Sequence, residues 1–167
     1  HGNVYLPKQF LQESETAQKA VELFLANPAV VDIAQPLERV KHSLGLNLSK
    51  RQSEGVEMVF RHNLSIITGG PGTGKTTTVN AILQLLEDQA ERVALCAPTG
   101  RAAKRLSELT GRKASTIHRL LEVDYTGGVV SFIHNDKNLL KCDVVILDEM
   151  SMVDVKLFQA LIAALRY

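Results

Sequence analysis

The chain has 167 residues, enough for one domain and a small appendage at roughly 150 residues per domain. Apolar residues make up 45% and charged residues 22%, which matches ordinary soluble globular chains and excludes disorder, collagen and coiled coil. Lys plus Arg number 19 against 18 Asp plus Glu, so there is no global basic field, and any nucleic-acid partner has to be argued from local clusters.

The longest apolar runs, such as Val144 to Leu147 and Leu161 to Leu165, fall far short of the roughly 20 residues of a membrane span. No secretory signal opens the chain, and a cytoplasmic protein with no membrane partner is expected. Cys96 and Cys142 match no metal-ligand spacing and read as buried, reduced thiols. The chain opens on His1 without an initiator methionine, which suggests a piece excised from a longer protein.

Residues 1–47 read as a helical segment belonging to the end of an upstream region. Ala17, Ala20, Val21, Phe24 and Leu25 recur at helical spacing, and Asn27-Pro28 ends that helix, because proline disfavours helical backbone in the residue before it. Leu37, Val40, Lys41 and Leu44 mark a second short helix ending near Gly45. Residues 48–167 then alternate helix and apolar strand. Gln52, Val56, Val59 and Phe60 stripe a helix, Leu64 to Thr68 reads as a strand, and Val79, Ile82, Leu83 and Leu86 stripe the next helix. A strand at Arg92 to Cys96, a helix at Arg101 to Leu109 closed by Gly111, and a helical turn at Thr116 to Leu121 follow. Tyr125 to Ile133, with Gly127-Gly128 inside, predicts a hairpin. Asp143 to Leu147 is a buried strand, and Leu157, Phe158, Leu161, Ile162 and Leu165 stripe a last helix. This alternation predicts an α/β fold, a parallel sheet covered by helices.

Gly69-Gly70-Pro71-Gly72-Thr73-Gly74-Lys75-Thr76 fits the P-loop pattern, between a predicted strand and a predicted helix. Glycines let backbone N–H groups converge on an anion, and the helix N-terminus adds positive potential. Lys75 brings a full charge to the β and γ phosphates of ATP, and the Thr76 hydroxyl can ligate magnesium. Gly70, Gly72, Thr73, Gly74, Lys75, Thr76 and Thr77 are the expected nucleotide-binding residues.

Val144 to Leu147 ends in Asp148-Glu149, and a strand delivers such carboxylates to the carboxyl edge of a parallel sheet, where a P-loop also sits. Asp148 is expected on the magnesium with Thr76. Glu149 is expected to orient and deprotonate the attacking water, so the catalytic residues read as Lys75, Asp148 and Glu149. A pair of acids that merely favours a helix N-terminus is the plainer alternative. Ser49 and Gln52 have capping-box spacing, and the Gln52 amide can hydrogen-bond adenine; both readings are compatible.

Together these residues resemble the first motor domain of a superfamily 1 DNA helicase of the RecD-like group, related to the alpha subunit of exodeoxyribonuclease V. Leu48 to Gln52 is similar to the family's glutamine motif, Gly69 to Thr76 to motif I, Ala97 to Leu106 to motif Ia, and Asp148 to Asp154 to motif II. Ser115-Thr-Ile-His-Arg-Leu120 resembles the element between them, and Val4 to Pro7 resembles more weakly the segment before the motor. The resemblance implies a RecA-like P-loop fold and ATP hydrolysis coupled to 5′ to 3′ travel on single-stranded DNA. It also implies work in DNA repair and recombination, where other recombination subunits are candidate partners. It places Pro98, Thr99, Gly100 and Arg101 on the strand, followed by Lys104 and Arg105, whose alternative is a solvated basic helix face. Thr116 is expected to touch DNA against the alternative of a helix cap, and His118 stays open between DNA contact and packing.

In that fold the strand carrying motif III lies between the strand before the P-loop and the strand before Asp148, and is encoded after motif II. The resemblance therefore implies an incomplete sheet in these 167 residues and negligible hydrolysis by the chain alone. A small-molecule P-loop kinase and a nucleotide-dependent interaction module without hydrolysis remain the rival readings, the kinase disfavoured by Glu149.

Overall fold

The computed structural model describes residues 7–26, 31–70, 72–126, 128 and 130–166. The chain runs through α1 (Pro7–Leu25), α2 (Ala34–Ser43), α3 (Lys50–Val59) and α4 (Lys75–Asp88) before its first strand. There follow β1 (Val93–Ala97), α5 (Gly100–Thr110), β2 (Ala114–Thr116) and α6 (Ile117–Leu121). The hairpin arms β3 (Val123–Asp124) and β4 (Ser131–Phe132) precede β5 (Val144–Leu147), a 3-10 turn at Met150–Met152 and α7 (Val155–Ala163).

The central sheet is parallel, in the order β2-β1-β5. Its side chains alternate between two apolar layers, as the two-residue period of a strand requires. Leu95, with Val93, Ala114 and Ile146, packs under Leu83 of α4 and Leu106 of α5. Cys96, with Val145 and Leu147, packs on Ile117 and Leu121 of α6 and Leu157 and Leu161 of α7. Helices cover both faces, so the α/β fold predicted from the alternation is the fold observed.

Apolar packing continues across residue 47. Ile33, Leu37 and Val40 share one buried cluster with Val56, Phe60, Ala81, Ile82 and Leu85. Burying one such side chain stabilises by about 1.5–3 kcal/mol, whereas exposed pairs such as Lys50–Glu54 contribute at most about 1 kcal/mol; the apolar cluster therefore anchors α2 and α3 on α4. Across the sheet α1 lies against α7, where Gln159 Nε2 donates to Glu15 Oε2 at 2.9 Å.

At the start of β5, Arg92 grips Asp143 through Nε and Nη2 at 2.9 and 2.7 Å, while the Arg92 N–H also donates to Oδ2 at 2.8 Å. This grip sets Val93 opposite Val144 and so fixes the register of β1 on β5. At the far end of α5, Gly111 takes the left-handed conformation with φ 67° and donates its N–H to Ser107 O at 2.9 Å, which is the expected glycine stop.

Two expectations are corrected. Leu64 to Thr68 forms no strand: residues 65–70 are irregular, with Ile66 76% and Ile67 36% exposed. β-prone residues make a strand only where a neighbouring ladder supplies their hydrogen bonds, and no described strand lies on the outer edge of β5. The hairpin sits further out than its sequence suggested, pairing Val123 with Phe132 and Asp124 with Ser131. A further strand, β2, was not foreseen, because Ala114 to Thr116 is too short to show a period. The expected helix stop at Asn27-Pro28, the opening Val4 to Leu6, Gly127 and Pro71 lie outside the described residues.

Candidate nucleotide site and nucleic-acid edge

The direction of α4 decides where the phosphate loop stands. Its C-terminal end turns through Gln89 to Glu91 straight into β1, and Glu91 N–H donates to Leu86 O at 3.0 Å. Helix and strand therefore run antiparallel, and Lys75 at the helix start reaches the carboxyl end of β1. The Asp148 N–H donates to Cys96 O at 3.0 Å and carries the β1–β5 ladder one residue further. Ala97 pairs with Thr116. Lys75, Asp148-Glu149, Pro98 to Arg101 and Thr116 to His118 thus share one edge of the sheet.

Gly72 and Gly74 bend the phosphate loop with φ 73° and 79°, in the left-handed region that costs a residue with a Cβ about 1–2 kcal/mol. Thr73 Oγ1 donates to Gly70 O at 2.8 Å, and Lys75 Nζ donates to Gly69 O at 2.7 Å. The lysine ammonium is exposed and held across the loop by a carbonyl, a neutral partner that an anion can displace. Thr76 and Thr77 are half-buried on the first turn of α4. Gly69, which the sequence reading left out of the nucleotide-binding set, also matters to the cradle: a Cβ there would collide with Thr73 Oγ1.

The Gln52 side-chain amide makes three hydrogen bonds to protein. Ser49 N–H donates to its Oε1 at 2.7 Å, and its backbone N–H donates to Ser49 Oγ at 3.2 Å, so the capping box is complete. Its Nε2 donates to Gly74 O at 3.2 Å and to Thr73 O at 3.4 Å. The box thus uses the side-chain oxygen as well as the serine, and the amide NH2 points at the phosphate loop.

At the end of β5, Asp148 Oδ1 accepts the Glu149 N–H at 2.9 Å. Glu149 is left-handed, φ 55° and ψ 41°, although it is not glycine. Its carbonyl accepts Met152 N–H at 3.0 Å and opens the 3-10 turn. Such backbone stores on the order of 1–3 kcal/mol and persists where the surrounding structure imposes it. Both carboxylates are exposed.

Thr99 and Thr116 are helix caps: their hydroxyls accept Ala102 N–H and Arg119 N–H, each at 3.2 Å. Arg101, Lys104 and Arg105 are exposed on α5, Lys104 making only a solvent-facing pair with Glu108 at 3.9 Å. His118 is exposed, its ring tilted on Phe132 at 5.9 Å. Cys96 is buried, which pushes its thiol up to about 12, and the half-buried Cys142 is shifted in the same direction. These thiols stay protonated and inert.

The family model described as AAA domain matches residues 52–167. The chain belongs to the AAA domain family. The chain is 39% identical to the ATP-dependent RecD2 DNA helicase of Deinococcus radiodurans over 98% of its own length and 22% of the relative's. It is 34% identical to the RecBCD enzyme subunit RecD of Mycolicibacterium smegmatis, over 98% of this chain and 32% of that one. It is 39% identical to the ATP-dependent DNA helicase dda of Enterobacteria phage T4, over 63% of this chain and 25% of that one. The RecD-like resemblance drawn from the motifs agrees with these matches, and the chain spans a third or less of the length of these relatives. No described helix is long and apolar enough to cross a membrane.

Proposed function

We propose that the chain is the nucleotide-binding first motor domain of an ATP-dependent DNA helicase that couples ATP hydrolysis to 5′ to 3′ movement on single-stranded DNA. The observation that carries the proposal is the shared edge. The antiparallel α4 brings Lys75 to the carboxyl end of the same strands that present Asp148-Glu149 and the basic start of α5. The names of the RecD2 and dda relatives support ATP and DNA as the ligands. That of the RecBCD enzyme subunit supports further subunits as partners, and a cytoplasmic location belongs to the same proposal.

In the reaction Lys75 Nζ exchanges the Gly69 carbonyl for the β and γ phosphates. Glu149 takes the proton of the attacking water as its oxygen bonds to the γ phosphorus. The bond to the bridging oxygen breaks, and that oxygen leaves on ADP with the electron pair. Thr76 and Asp148 supply hard oxygen donors, the chemistry that magnesium requires, and it needs few protein ligands when phosphates and waters supply the rest. Bound there, the ion would neutralise charge on the phosphates. Asp148 Oδ1 accepts the Glu149 N–H, which orients the exposed carboxylate. Pro98, Thr99, Gly100, Arg101, Thr116 and His118 form the proposed strand contact. The two threonine hydroxyls act there chiefly by holding helix starts in place.

ATPase activity of the intact protein with and without single-stranded DNA tests the reading. Stimulation that disappears in Lys75→Ala is expected. A P-loop kinase or a non-hydrolysing module would give no DNA stimulation, and either result would remove the helicase assignment.

A further inference from the structure

We propose that the Glu87–Arg112 pair is a strut that couples the phosphate loop to the single-strand contact by fixing α4 to α5, with Arg112 as a positioning residue for that coupling. The inference rests on the proposed ATP and DNA sites and adds the link between them.

α4 leads into β1, and α5 connects β1 to its parallel neighbour β2, so both helices run antiparallel to β1 and parallel to each other. They pack on one face of the sheet, where Leu83 of α4 and Leu106 of α5 meet over Leu95. Their first turns stand on the functional edge, α4 at Lys75 and α5 at Gly100-Arg101. Their last turns meet at the opposite edge, about 20 Å from the phosphate loop, the length of the 14 residues of α4.

At that far end Arg112 Nε donates to Glu87 Oε1, Nη2 donates to Glu87 Oε2 at 2.6 Å, and Nη1 donates to Thr110 O at 2.8 Å. Such a fork fixes orientation as well as distance. The arginine is itself anchored: its backbone N–H donates to Thr110 Oγ1 at 3.3 Å, and that hydroxyl donates to Leu106 O at 2.7 Å. Nearer the middle of α4, Asn80 Nδ2 donates to Leu109 O at 3.4 Å.

The placement of charge explains why the pair is needed there. A carboxylate in the last turn of a helix faces the negative end of its dipole, so Glu87 alone would weaken α4. Arg112 covers the carboxyl ends of both helices with one cation, and its hydrogen bond holds the Glu87 carboxyl below its ordinary value. Joined at this end and through Leu83 and Leu106, the two helices tilt as one body. A strand that moves the start of α5 therefore moves the phosphate loop as well. Neither member of the pair lies at the edge where the ligands bind, so the pair acts on both only through the helices.

Affinities of the intact protein for single-stranded DNA and for a non-hydrolysable ATP analogue, each measured alone and with the other bound, test the strut. Coupling is reciprocal, so each ligand shifts the other's affinity by one common factor. In Arg112→Met and in Glu87→Gln we expect affinity for each ligand alone to be unchanged and the common factor to fall about threefold, the share of a partly exposed pair. Stimulation of kcat by DNA should fall with it, while kcat without DNA is retained. The double variant should lose no more than either single one, because the same contact is broken in all three. Arg112→Lys, which keeps the charge without the fork, should recover part of the factor. Full coupling in both single variants, with only the melting temperature lowered, would reduce the pair to a structural tie. Losses that multiply in the double variant would separate the two residues, and a flatter salt dependence of DNA binding in Arg112→Met would make Arg112 a phosphate contact; either overturns the proposal. A parent protein in which neither ligand shifts the other's affinity and DNA leaves turnover unchanged would remove the helicase reading itself, a result distinct from a loss confined to the variants.

Discussion

Glu149 sits in left-handed backbone at the end of β5, with its own N–H donated to the Asp148 carboxylate. A glycine would adopt that conformation without strain, so a glutamate at this position costs stability. Two outcomes follow for this residue. Glu149→Gln should bind ATP with undiminished affinity and hydrolyse none, since an amide cannot accept the water's proton; parallel loss of binding and turnover would give Glu149 a structural role. Glu149→Gly should abolish turnover while raising stability by about 1 kcal/mol, the relieved strain less the extra chain entropy of glycine. Denaturant unfolding reads this directly, and a destabilised variant would show that the side chain itself holds the turn.

At the scale of elements, the strand pair β1–β5 and the helix α5 each carry a testable charge. Arg92 hydrogen bonds hold the Asp143 carboxyl down to about 2, from 3.8. A carboxyl depressed in the folded state contributes its full stability above the unfolded value and loses it as pH falls through the folded one. Between about pH 4 and pH 2 the parent should therefore lose stability more steeply than Asp143→Asn, as followed by circular dichroism across that range. Identical acid limbs would mean the pair contributes nothing to the register. On α5, Arg101→Ala should weaken binding of single-stranded DNA and flatten its dependence on salt by roughly 0.7 in log–log slope, one phosphate contact's share. An unchanged slope would return Arg101 to a solvated helix face.

At the scale of the whole molecule, the sheet is covered on both faces yet open at β5. Backbone groups along that outer edge face no described strand, and the nearby sequence before the phosphate loop leaves Ile66 76% exposed. Such an edge invites pairing with another chain. The 167-residue chain alone should therefore show a concentration-dependent mass above 18.3 kDa in light scattering, and Ile66→Lys should lower it. A strictly monomeric chain at all concentrations would show that the edge is protected.

The phosphate loop, the Asp148-Glu149 pair and the alternating layers were legible in the sequence because each rests on local order. Glycine and lysine spacing, an apolar run that ends in acids, and helical or strand periods all act within a few residues. Tertiary structure alone decided the rest. Leu64 to Thr68 has the composition of a strand, but its hydrogen-bond partners must come from elsewhere in the fold, and without a neighbouring ladder it stays irregular. That the Gln52 amide also meets the Thr73 and Gly74 carbonyls follows from the packing of α3 on α4, which no local spacing shows. The strain at Glu149 was likewise invisible, since a left-handed φ depends on the strand end and turn on either side of it rather than on the identity of the residue. Local spacing names the groups that can do chemistry, while long-range packing determines which hydrogen bonds those groups have left to offer.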